Sequence, residues 1–184
     1  MRNLITARLV LVPWEHRFLD DLVRLSADER VMRFVGSGPW DGRYAGERHE
    51  SALGQWATHG FGMRAVTSAD DGRFLGLVSL GESRATGFET PVFEIGWWVD
   101  PAEWGHGIAT EAAASVRDEA FSRVGARSIV ACFHRDNTAS ERIMAKLGMS
   151  PHGDVIDRYG EPARMYALTR AEWERLGSPK PLSP

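Results

Sequence analysis

The chain has 184 residues, 43% of them hydrophobic and 26% charged, with a formal net charge of -3. That balance suits one globular domain with a sizeable core and excludes disorder over most of the length. With no basic block, the electrostatic footprint of a general nucleic-acid binder is missing, so nucleic acid is not expected among the partners.

Leu9 to Val12 reads as a strand stopped by Pro13, after which Phe18, Leu19, Leu22, Val23 and Leu25 recur at helical spacing. Glycines and a proline make Gly36 to Gly42 a loop, and a weaker helix runs through Leu53 and Trp56 to end near Gly60. Two strands follow, Phe61 to Val66 and Phe74 to Leu80, joined by Ala69-Asp70-Asp71-Gly72, whose Asp-Gly pair signals a hairpin. Gly81 to Pro91 is loop. Val92 to Val99 is a strand with unbroken bulky residues at its end, the pattern of burial on both faces. A helix starts close to Gly107, with the stripe Ile108, Ala112, Val116, Ala120 and Val124, and Glu111, Arg117, Asp118 and Arg123 off it.

Ser128 to Phe133 is a strand that carries the single cysteine, Cys132, read as a buried free thiol. One cysteine excludes an internal disulfide, and the six histidines (16, 49, 59, 106, 134, 152) show no ligand-like spacing, so no metal is expected. Thr138 to Leu147 is a short helix ended by Gly148, and Ala163 to Leu168 a last strand. Thr169-Arg170-Ala171-Glu172 is a capping box that opens a terminal helix through Trp173 and Leu176. Residues 178–184 form a proline-rich tail expected to be disordered, leaving 1–177 as one domain. The N-terminus lacks the apolar core of a signal peptide and no stretch of about 18 apolar residues exists, so a cytoplasmic protein off the membrane is expected, as monomer or homodimer. The order of elements is that of a mixed α/β domain.

The chemistry lies between Phe93 and Ala112, where a buried strand runs through Asp100-Pro101 into a glycine-spaced loop and then a helix. Residues 104 to 109 would expose several backbone N–H groups, with nothing bulky at 105, 107 or 109. Those groups and the positive end of the helix dipole make an anion site suited to a pyrophosphate. A Walker loop would need Gly-Lys-Ser/Thr, and no lysine is present; a dinucleotide fingerprint needs Gly-x-Gly-x-x-Gly, whereas here the spacing is Gly105, Gly107, Ala109. A plain tight turn from strand to helix is the remaining alternative.

Val99-x-Pro101-x-x-Trp104-Gly105-His106-Gly107-Ile108-Ala109 resembles the acetyl-CoA pyrophosphate motif of the GNAT superfamily, and Asn137 to Met149 resembles its second motif. More narrowly, Thr6-Ala7-Arg8-Leu9, Glu94-Ile95-Gly96-Trp97, Trp104-Gly105-x-Gly107-x-Ala109-Thr110-Glu111-Ala112 and Asn137-x-x-Ser140 are similar to the branch of ribosomal-protein N-terminal alanine/serine acetyltransferases. The resemblance implies the GNAT N-acyltransferase fold, a splayed central mixed sheet flanked by helices. It implies that acetyl-CoA binds in the splay, its pantetheine arm pairing with the backbone near Trp98 and Val99 and with Asn137. Its pyrophosphate would meet the N–H groups of Gly105, His106, Gly107, Ile108, Ala109 and Thr110, with Trp104 also binding the cofactor. Met144 stands where many members have a tyrosine that protonates the leaving thiolate; methionine has no proton to donate, and Ser140 is the expected substitute.

An amine must be neutral to attack a thioester. At pH 7 deprotonation costs roughly 4.6 kcal/mol for a lysine and roughly 1 kcal/mol for an α-amine. Glu94 is the candidate base, in a setting whose apolar neighbours would raise its pKa; a structural carboxylate bonded within the sheet is its other reading. Asp157 and Glu161 are runners-up by resemblance, His134 takes no role, and strand amides would stabilise the developing oxyanion. Loops 36 to 50, 81 to 91 and 150 to 162 are expected to wall the acceptor, with Trp40, Phe88 and Tyr159 in contact. A protein N-terminal α-amine is the first choice of acceptor. A small amine, such as an amino acid, polyamine or drug, and a non-catalytic acetyl-CoA-binding module stay open.

Overall fold

The computed structural model describes residues 2–177; the expected tail, 178–184, lies outside them. Eight strands, β1 (Leu4–Ile5), β2 (Leu9–Pro13), β3 (Arg64–Ser68), β4 (Phe74–Glu82), β5 (Val92–Val99), β6 (Ser128–Phe133), β7 (Ser150–Ile156) and β8 (Pro162–Thr169), form one sheet. Its order is β1-β2-β3-β4-β5-β6-β8-β7, antiparallel except for the parallel pair β5–β6. The helices are α1 (Leu19–Ala27), α2 (Glu29–Met32), α3 (Gly42–His59), α4 (Ile108–Glu119), α5 (Thr138–Lys146) and α6 (Arg170–Arg175). The mixed α/β architecture expected from the chain is the one found.

Besides β1 and α2, which the sequence reading did not include, three stretches differ from it. Helix α3 has 18 residues and begins where Asp41 caps it, its carboxylate accepting from Tyr44 N–H at 2.7 Å, so residues 42–50 are not loop. Strand β7 replaces the first part of the expected loop 150 to 162. Pro151 and Gly153 break its alternation and six of its seven residues are exposed, so only its pairing with β8 makes it a strand. The strand expected from Phe61 is instead Arg64–Ser68; Gly62 and Met63 bond Leu80 and Trp14 through their carbonyls from irregular backbone.

Alternation sends one set of side chains to each face of the sheet. Leu9, Leu11, Phe93, Ile95, Val99, Ile129 and Ala131 pack with Ile108, Ala112 and Val116 of α4, Met144 of α5 and Leu147 just after it. Val12, Ala65 and Leu77 pack on the other face with Leu22 and Leu25 of α1 and Ala52 and Trp56 of α3. At the side of the molecule Arg64 joins the two layers. Its guanidinium binds both oxygens of Glu119 at 2.6 and 3.1 Å and lies over the Trp56 ring, and both charged side chains are buried. Burial pulls Arg64 below its ordinary pKa while the Glu119 carboxylate opposes that pull.

The feature that positions the site is a parting of strands. β5 and β6 pair only at Val92–Ser128, Phe93–Ile129 and Glu94–Val130, although both continue beyond. Past Glu94 the sheet is open.

Candidate active site

Asp100 N–H donates to Leu75 O at 2.9 Å and Ser83 N–H to Val92 O at 2.9 Å. The even-numbered residues of β5 therefore turn their peptide groups towards β4, and Ile95, Trp97 and Val99 turn theirs to the opening. This corrects the expectation for Trp98, whose carbonyl faces Gly76 so closely that a Cβ there would collide with it. The Trp98 side chain packs edge-on against Trp40, ring centroids 4.9 Å apart. Val99 does face the gap, and its carbonyl accepts from Trp104 Nε1 at 2.8 Å.

Gly105 and Gly107 bring the chain into α4 at φ of +81° and +79°, a region that side chains with Cβ rarely adopt. The first helical bond runs from Glu111 N–H to Gly107 O at 3.1 Å, so the N–H groups of Ile108, Ala109 and Thr110 precede the helical ladder. Arg8 lies beside this loop. Its Nη1 donates to His106 O at 3.0 Å, and its Nε and Nη2 grip the Glu111 carboxylate at 2.8 and 2.6 Å. Thr6 Oγ1 donates to the same carboxylate at 2.6 Å. Because a trans peptide directs C=O and N–H oppositely, holding His106 O towards Arg8 turns the Gly107 N–H away from it. Arg8 belongs to the Thr6-Ala7-Arg8-Leu9 motif, but nothing in the sequence pairs it with the loop. The amide-rich, positively poled end of α4 fits a pyrophosphate.

In α5, Asn137 Oδ1 accepts from Ser140 N–H at 3.1 Å and so caps the helix, leaving the Asn137 amide N–H groups as donors. Met144 is 1% exposed and belongs to the core. Ser140 is half-buried one turn earlier. Tyr166, on β8, donates through its hydroxyl to Glu141 Oε1 at 2.9 Å, and that bond holds its pKa above the ordinary value.

β5 and β4 pair in unbroken register from Phe93 to Val99, so no bulge disturbs the alternation and Glu94 shares a face with Gly96 and Trp98. Here it meets Arg158 of the β7–β8 turn, Nη2 to Oε1 at 2.7 Å. The apolar surroundings expected for Glu94 are thus replaced by an ion pair that no periodicity could announce. Burial draws the Arg158 pKa down, but the Glu94 charge and bond outweigh it and the net direction is up. Burial, with the Glu94 charge adding to it, pushes the Cys132 thiol up to about 12, so it stays protonated. Asp157 Oδ1 accepts from Tyr159 and Glu161 N–H at 2.8 and 2.9 Å, which makes Asp157 the organiser of that turn.

Tyr159, which follows Arg158 in the chain, lines a hollow of about 260 Å³ with Gly36, Pro39, Trp40, Asp41 and Tyr44. Trp40 and Tyr159, both expected at the acceptor, line this one hollow together. Phe88 does not join them: it packs on His152 at 4.3 Å and lines a separate hollow with Arg127 and Arg170. His134 stacks on Phe34 with centroids 5.5 Å apart.

Among the described residues, His16, His49 and Glu50 bring potential ligand atoms within 4.8 Å of one another, a grouping the sequence spacing did not suggest. Buried His49 accepts from Trp14 Nε1 through Nδ1 at 3.0 Å, so its neutral ring carries the proton on Nε2 and offers a donor there, not a lone pair. Burial lowers its pKa and favours that neutral form. No helix among the described residues is long and apolar enough to cross a membrane.

Residues 8–150 match the family model described as an acetyltransferase (GNAT) domain. The FsC-acetyl coenzyme A-N(2)-transacetylase of Aspergillus fumigatus is 30% identical over 189 residues, 96% of this chain and 80% of that one. Among solved structures, the ribosomal-protein-S5-alanine acetyltransferase of Vibrio fischeri superposes with a TM-score of 0.75 at 14% identity, covering 94% of this chain and 99% of that one. Mycobacterium smegmatis RimJ in complex with CoA-disulfide superposes with a TM-score of 0.69 at 22% identity, covering 92% and 90%. Both share the fold described above.

Proposed function

The chain belongs to the GNAT family of N-acetyltransferases, and we propose that it uses acetyl-CoA to acetylate an α-amine by direct attack in a ternary complex, within residues 1–177 and in the cytoplasm. The observation that carries this reading is the opening of the sheet beyond Glu94, which ends at the amide-rich start of α4. Unpaired strand groups need partners, and an amide-bearing arm supplies them. Acetyl-CoA brings the acetyl thioester; the rest of the chemistry falls to this chain.

Ile95, Trp97 and Val99 offer peptide groups along the gap, and Asn137 offers its amide N–H groups from the opposite wall. Gly105 to Thr110 hold the pyrophosphate, with Arg8 fixing the loop and Trp104 tying it to Val99. Glu94 receives the proton of the amine, directly or through water, and Ser140 donates to the departing sulfur. The amides of Ile95 and Trp97 stabilise charge that develops on the acetyl oxygen. Cys132 stays protonated and takes no part. An α-amine asks far less of a base than a lysine does, which favours a protein N-terminus or the α-amine of a small molecule.

The test is release of free thiol from acetyl-CoA with a panel of peptides, amino-acid amides and lysine-like amines, beside calorimetry of acetyl-CoA binding. α-Amines are expected to be acetylated first and fastest. Binding without thiol release over the whole panel would leave a binding module. Preference for lysine-like amines would overturn the α-amine assignment.

A further inference from the structure

Glu94 and Arg158 sit where the strands part, on the sheet face that also carries Trp98 and the Trp40 hollow. Neither side chain is spent by the other. Glu94 Oε1 takes Arg158 Nη2 at 2.7 Å, while 23% of the Glu94 side chain and 48% of the Arg158 side chain remain exposed. A carboxylate accepts through two oxygens and a guanidinium donates through five N–H groups, so each has capacity left for a third party. That third party must carry a donor and an acceptor side by side, at roughly the spacing of the pair itself.

An α-amino carbonyl group has that form. From standard bond lengths its nitrogen and carbonyl oxygen lie about 3 Å apart. We propose that Glu94 and Arg158 together read the head group of an α-amino carbonyl acceptor, Glu94 taking the amine and Arg158 the carbonyl or carboxylate oxygen beside it. This rests on the amine-acetylating reading of the same site and narrows it to one substrate class. The hollow reached through Tyr159, the residue after Arg158, with its three aromatic walls Trp40, Tyr44 and Tyr159, takes the first side chain. A polyamine fits poorly, because its second cation would meet the Arg158 charge. A free amino acid and the first residue of a peptide present the same head group.

The experiment compares alaninamide with isopropylamine, the same amine with a methyl group in place of the carboxamide. For wild type, Arg158→Gln and Arg158→Lys, kcat/KM is measured for both across pH and expressed per neutral amine. The ratio of alaninamide to isopropylamine is expected to fall at least tenfold in Arg158→Gln, mainly through KM, and less in Arg158→Lys. If Arg158 only orients Glu94, both amines lose equally, the ratio stays constant and the proposal falls while the transfer reading stands. Alanine and an alanine-led tripeptide separate the two sources: whichever shows the larger Arg158-dependent ratio is the natural form. Binding of alaninamide to the CoA-loaded protein is followed in parallel by calorimetry. Arg158-dependent binding without thiol release would keep the head-group reader and overturn acetyl transfer; neither binding nor turnover would overturn both.

Discussion

Ser140 lies on a helix of the α4 layer, whereas Glu94 stands on the other face of the sheet beside Arg158. With Met144 buried and without a proton to give, Ser140→Ala is expected to lower kcat roughly tenfold or more. Acetyl-CoA affinity should stay nearly constant, because the capping bond of Asn137 uses the Ser140 backbone; steady-state kinetics and calorimetry check this. Glu94→Gln is expected to depress kcat/KM most at low pH, where the amine is charged, and less as pH approaches the amine's own pKa. A loss independent of pH, with a lowered melting temperature, would make Glu94 structural. The facing of Glu94 was legible, because a period of two needs no tertiary information. Its partner was not: Arg158 sits in a turn without period, and only the return of β8 along β6 brings it to β5.

At the scale of elements, the loop into α4 was the best-read part of the chain, since Gly105 and Gly107 announce positive φ and Ile108 to Val116 announce the buried stripe. Gly107→Glu is expected to abolish acetyl-CoA binding in calorimetry on folded protein, by placing charge and bulk in the loop, where a Cβ would meet Arg8 Nη2 at 3.5 Å. Gly107→Ala, which carries the backbone strain of about 1–2 kcal/mol without the charge, should keep part of the affinity; equal loss in both would put strain, not anion exclusion, at fault. The Arg64–Glu119 pair is a different kind of contribution. Glu119→Gln leaves a buried guanidinium short of charge and is expected to cost about 3–5 kcal/mol in denaturant unfolding. The sequence hid this pair, as it hid β7 and the length of α3. A buried ion pair has no spacing, an edge strand with proline and glycine has no alternation, and glycines at 42, 46 and 54 dilute a helical pattern.

The whole sheet was legible as a mixed α/β array, and the place of its parting came from the family resemblance, since unpaired rungs leave no mark in composition. That parting opens on both faces: the free amides at the α4 loop stand with one helical layer, the Trp40 hollow with the other. Two doorways follow from one slit. Neither reactant has to leave before its companion arrives, so double-reciprocal plots should intersect, and parallel lines would contradict direct transfer. Spent CoA should compete with fresh acetyl-CoA for one doorway while leaving the amine's entrance clear. Traffic through the enzyme is thereby sorted by side, and a crowded supply of one reactant need not jam the passage of the other.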